Sequence, residues 1–137
     1  MRASQVFSVC GLPEIELSRV KPKDKSDPER WQVQLTGLDT FDPVTMETRA
    51  TAGTDVPAWF LDHDYNGRVF RVCQAFFPRT GAWDAMKRAL RADFEESLFD
   101  HLAGDTSAPF TLGDNRRVAV KVIDERGNEL MVTQALA

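Results

Sequence analysis

Between Trp59 and Phe70 the chain reads Trp-Phe-Leu-Asp-His-Asp-Tyr-Asn-Gly-Arg-Val-Phe, which sets two carboxylates and an imidazole beside a glycine. Asp62, Asp64, Asn66 and Gly67 match the opening of a calcium loop, where alternate oxygen-bearing side chains and a glycine wrap a hard cation. Such a loop sits between two helices and closes with a bidentate glutamate at its twelfth position. Counted from Asp62, that position is Cys73, and the flanking runs are aromatic and β-branched. A strand also sends Asp62 and Asp64 to one face and His63 to the other. The expectation is a hairpin end with soluble acids and no metal.

Other cofactor chemistry finds little footing. The eight glycines never fall as G-x-G, and neither the phosphate loop G-x-x-x-x-G-K-[ST] nor the nucleophile elbow G-x-S-x-G occurs. His63, His101, Cys10 and Cys73 are too scattered in sequence to suggest a zinc site. No cofactor and no catalytic residue is expected. One enzymatic alternative is a small metal-dependent nuclease, in which Asp62, Asp64 and Asp124 would hold a divalent ion beside Lys121. Another alternative is a stand-alone protein-binding module.

Seventeen basic against 21 acidic residues give a net charge of -4, so the whole molecule repels polyanions and nucleic-acid contact requires a local patch. Two basic groups qualify. Lys87, Arg88 and Arg91, with Arg79 nearby, share one stretch; Arg116, Arg117 and Lys121 open another. These six residues from Lys87 to Lys121 are the candidate nucleic-acid contacts, although a solvated helix face and a charged strand edge are the ordinary setting for such side chains.

The elements that must carry these residues follow from periodicity. Residues 5–9 and 14–20 read as short strands broken at Gly11-Leu12-Pro13, and residues 21–30, with two prolines and dense mixed charge, as an exposed loop. Trp31, Val33 and Leu35 alternate with polar residues along a half-buried strand. Asp42-Pro43 marks a turn, and residues 46–55 a loop with at most a weak edge strand. Residues 58–64 and 69–77 form two strands joined by a tight Asn66-Gly67 hairpin. Trp83, Met86, Leu90 and Phe94 recur at helical spacing opposite Lys87, Arg88 and Arg91, and Leu98 and Leu102 continue the stripe to Gly104. Residues 117–123 and 130–134 make a last hairpin. The sum predicts one α+β domain over residues 1–137, with an antiparallel sheet of several hairpins packed on one face by a helical pair. Its 42% hydrophobic content, the absence of long apolar runs and two widely separated cysteines predict a soluble cytoplasmic protein without membrane contact.

Three stretches carry a resemblance: residues 38–45 (Leu-Asp-Thr-Phe-Asp-Pro-Val-Thr), residues 59–67 around Asp62, and residues 118–129 (Val-Ala-Val-Lys-Val-Ile-Asp-Glu-Arg-Gly-Asn-Glu). Together with Leu90-Arg91-Ala92-Asp93 and Ala108-Pro109-Phe110, they resemble the C-terminal region of bacterial adenine-specific DNA methyltransferases of the type III restriction-modification kind. The likeness extends in order over residues 31–133. It implies an accessory domain serving docking, subunit contact or DNA positioning. Its partners would be a methyltransferase core or another subunit, with weak DNA contact. The family's methyl donor, S-adenosylmethionine, is held by a glycine-rich loop, and its adenine by an Asp-Pro-Pro-Tyr type motif. Asp27-Pro28-Glu29 and Asp42-Pro43-Val44 lack the second proline and the aromatic residue, so the resemblance does not extend to methylation by this chain.

Overall fold

The computed structural model describes residues 10–78 and 104–136. Seven strands run through them: β1 (Cys10–Arg19), β2 (Trp31–Asp42), β3 (Glu47–Ala52), β4 (Ala58–Asp62), β5 (Gln74–Phe76), β6 (Arg117–Ile123) and β7 (Glu129–Ala135). All pairings are antiparallel, in two sheets ordered β1-β2-β3 and β5-β4-β6-β7. Among the described residues a single 3-10 turn, Gly53–Asp55, leads from the first sheet into the second.

This corrects the α+β expectation of one sheet under a helical pair. Of the described residues 50% lie in strands and 3% in helical turns. The apolar face assigned to a helix is supplied instead by the first sheet. Val33, Leu35 and Leu38 of β2 meet Trp59 and Leu61 of β4, Phe76 of β5, and Val118, Val120 and Val122 of β6 in one buried cluster. A strand's alternation says which face is apolar but not what will cover it, and a second sheet serves as well as a helix. The stretch expected to be helical, residues 80–103, lies outside the described residues, as do residues 5–9.

Two further expectations are revised. Gly11-Leu12-Pro13 does not break the first strand: β1 runs through it with Pro13 buried opposite Leu38. Proline lacks a ladder donor, and β1 is an edge strand, where that loss is tolerated. The hairpin after β4 is also wide rather than tight. Trp59 pairs with Phe76 and Leu61 with Gln74, which leaves residues 63–73 as the connection.

Other local readings hold. Val20 N–H donates to the Arg30 carbonyl at 2.9 Å and closes the charged 21–30 loop. Asp42 Oδ1 accepts the Val44 N–H at 2.9 Å in the expected turn. β3 is the other edge strand of the first sheet, and β6 and β7 form the last hairpin. In β2, a register shift opposite Glu14 and Ile15 lets Leu38 return to the core after Val33 and Leu35. Residues 105–110 then pair with the free edge of early β2, with mutual Trp31 and Phe110 bonds of 2.7 and 2.9 Å. At the centre the Trp59 and Phe76 rings stack at 4.0 Å, and Trp59 Nε1 donates to the Gly104 carbonyl at 3.3 Å. No helix among the described residues is long and apolar enough to cross a membrane.

Candidate nucleic-acid interface

The wide loop 63–73 is hung on one buried carboxylate. Asp62, at the end of β4, is 1% exposed. Its Oδ1 accepts the Asp64 N–H and its Oδ2 the Arg71 N–H, both at 2.9 Å. One side chain thus holds residues at both ends of the loop. Cys73 closes it by donating its N–H to the Leu61 carbonyl at 2.9 Å. Desolvation, reinforced by the Asp62 charge, pushes the Cys73 thiol above its ordinary value, so this residue is a poor nucleophile at neutral pH.

The loop's interior is shaped by its own sequence. Asn66 Oδ1 accepts the Arg68 and Val69 N–H groups at 2.8 and 2.9 Å, and Gly67 adopts a φ of +85° in the left-handed region that favours glycine. The loop then folds back over its own sheet. Tyr65 N–H donates to the Arg117 carbonyl at 3.0 Å, and Lys121 Nζ lies 4.8 Å from the centre of the Phe70 ring. Ala119, between Arg117 and Lys121 on the outward face of β6, is fully buried.

A second loop, residues 113–116, leads into Arg117 at the head of β6 and is clamped to the first. Asp64 Oδ1 accepts the Asn115 N–H at 3.1 Å and the Asn115 Nδ2–H at 3.0 Å, while Nδ2 also donates to the Asp64 carbonyl at 3.2 Å. Gly113 is required for this approach, because any Cβ there would collide with the Asp64 carboxylate. Arg116 follows with a φ of +47°, its N–H donating to the Gly113 carbonyl at 3.1 Å.

These contacts gather three arginines on two adjoining loops and a fourth at the head of β6. Arg68, Arg71 and Arg116 are exposed and Arg117 is half-buried, with Nη1 near the Cα of Gly67. None of the four takes part in the ion pairs among the described residues, which join Arg19 to Glu29, Arg30 to Asp27, Arg49 to Glu125, Lys121 to Glu129 and Arg126 to Asp42. The nearby acids Asp62 and Asp64 are committed to N–H groups, which leaves Asp114 as the exposed carboxylate within the second loop. The result is a patch of four arginines and three carboxylates, in which Asp62 is turned inward.

Of the six candidate contacts, Arg116 and Arg117 fall on this surface. Lys121 lies beneath it, its side chain 27% exposed, between Phe70 and Glu129 at 3.9 Å. Lys87, Arg88 and Arg91 are outside the described residues. Arg68 and Arg71 were missed. Their signal was present in Arg68-Val69-Phe70-Arg71-Val72, where the expected tight turn at Arg68 and strand from Val69 give way to a loop that exposes both arginines.

The carboxylates proposed for a nuclease do not converge. Asp62 pairs with Ala119 across β4 and β6, and Asp124 lies five residues beyond Ala119, just past the end of β6 and about 16 Å away at strand spacing. Asp124 Oδ1 instead accepts the Arg126 and Asn128 N–H groups at 2.9 and 2.8 Å in the β6–β7 turn. No group of three or more His, Cys, Asp or Glu side chains among the described residues is placed to hold a metal. His63 stacks on Phe110 at 4.8 Å with its Nδ1 buried and without a partner. No protein-family model, curated protein or solved structure matches the chain.

Proposed function

We propose that this chain is a noncatalytic accessory domain of a cytoplasmic bacterial DNA-modification methyltransferase, and that it positions DNA for a separate catalytic core. The sequence resemblance supplies the methyltransferase setting. The observation that favours DNA positioning over subunit docking is the set of four arginines, Arg68, Arg71, Arg116 and Arg117, free of carboxylate partners among the described residues and held on two mutually clamped loops and the head of β6. Phosphate neutralisation by Lys and Arg supplies the sequence-independent part of DNA affinity, and arginine forks match phosphate oxygens in pairs. Because the whole chain is acidic, the binding is weak and strongly salt-dependent.

Fluorescence anisotropy of the full chain with a labelled duplex, titrated at several salt concentrations, tests the reading. Each phosphate contact contributes about 0.9 to the magnitude of the log-affinity against log-salt slope. Arg116→Ala with Arg117→Ala should flatten that slope by about two contacts' worth. Absence of binding at low salt, or binding indifferent to both substitutions, rejects it.

A further inference from the structure

The arginine loop also carries apolar side chains that face solvent. Val69 is 58% and Val72 59% exposed, whereas Tyr65 is buried and Phe70 is packed over Lys121. Scattered surface valines need no explanation. Here, however, each follows directly on an arginine, Arg68 and Arg71, along a segment that forms no ladder with either sheet. The segment is held in place at its start by the Asn66 side chain and at its end by Asp62 and by Cys73.

From this combination we infer that residues 68–72 enter the minor groove of duplex DNA, a proposal that rests on the reading of this surface as a DNA contact. A major groove accommodates a helix or a two-stranded ribbon, whereas a minor groove about 6 Å wide is entered by single-chain arms and by inserted arginine and apolar side chains. The narrow groove concentrates negative potential, which favours inserted arginine. Its walls are sugars, and these offer apolar surface to Val69 and Val72. Arg116 on the neighbouring loop and Arg117 at the head of β6 then meet the flanking phosphates. The loop enters without an ordering cost, because Asp62 and Asn66 already hold its backbone.

The test uses the full 137-residue chain and an A·T-rich duplex in the anisotropy assay. Netropsin, which fills the minor groove, should displace the protein, while methyl green in the major groove should not. Val69→Ser with Val72→Ser should weaken binding roughly tenfold through lost apolar contact while leaving the salt slope unchanged. Arg68→Ala with Arg71→Ala should flatten the slope. Binding that persists in saturating netropsin, or equal affinity for a single strand of the same length, overturns the groove assignment while the DNA-positioning reading stands. No binding to any duplex at about 50 mM salt overturns both.

Discussion

Arg126 donates through Nη1 to Asp42 Oδ2 at 2.7 Å, and this bond ties the β6–β7 turn of one sheet to the end of β2 in the other. Beside it, Arg49 and Glu125 make a second cross-sheet pair at 3.9 Å. The four side chains, with Leu38, Thr40 and Val56, line a small cavity of about 90 Å³. The two pairs latch one sheet to the other.

The latch makes stability depend on pH with a definite sign. The Arg126 bond, followed by the Val44 N–H, holds the Asp42 carboxyl below the ordinary carboxylate range. A depressed folded-state value means a contribution present above the unfolded value, near pH 4, and lost as pH falls toward the folded one. Melting curves between about pH 6 and 3 should show a drop at the acid end that is smaller in Asp42→Asn.

Glu14 works in the opposite direction. Its hydrogen bond and charge repulsion with Asp39 raise its carboxyl above the ordinary range. The repulsion burdens the fold at neutral pH and is relieved as pH falls through the raised value. Glu14→Gln should therefore raise the melting temperature at pH 7, and that gain should vanish near pH 4.

Asp62→Ala removes the acceptor for two loop N–H groups from a site that is 1% exposed. Urea unfolding should show a loss of about 2 kcal/mol. The same variant should bind DNA more weakly even though it removes a negative charge, since the arginines lose their common anchor. Stronger binding would mean that simple charge, not loop position, governs the contact.

Gly113→Ala places a methyl against the Asp64 carboxylate and must push the two loops apart. Overpacking of this kind costs about 1–3 kcal/mol. Hydrogen exchange at the Asn115 amide, which donates to Asp64 at 3.1 Å, should accelerate in the variant.

Phe76→Ala empties the space stacked against Trp59 in the centre of the core. The expected cost is about 3–5 kcal/mol in urea unfolding. Phe76→Leu, which refills most of the volume, should cost far less.

Alternation along the chain was enough to place Trp31, Val33 and Leu35 in one strand and residues 117–123 in another, because a strand's two faces repeat every second residue and need no distant partner to be seen. Asp42-Pro43 announced its turn for an equally local reason: the aspartate bonds the backbone two residues on. Arg116 and Arg117 were visible as a basic pair at the head of β6. The cover for those apolar faces was not legible, since Val33 and Val120 lie 87 positions apart in sequence and meet only when two sheets close on each other. Nor was the wide loop. Asn66-Gly67 carries the local chemistry of a tight turn and does form a side-chain turn with a left-handed glycine. The buried Asp62 carboxylate nevertheless captures the Arg71 N–H nine residues away, and β4 pairs with β5 only from Gln74 onward. That long-range capture, with the Asp64 bond to Asn115 across 51 positions, is what brings Arg68 and Arg71 beside Arg116 and Arg117. Local sequence specifies which residues carry charge and which faces are apolar; their convergence depends on hydrogen bonds whose partners are far apart in the chain.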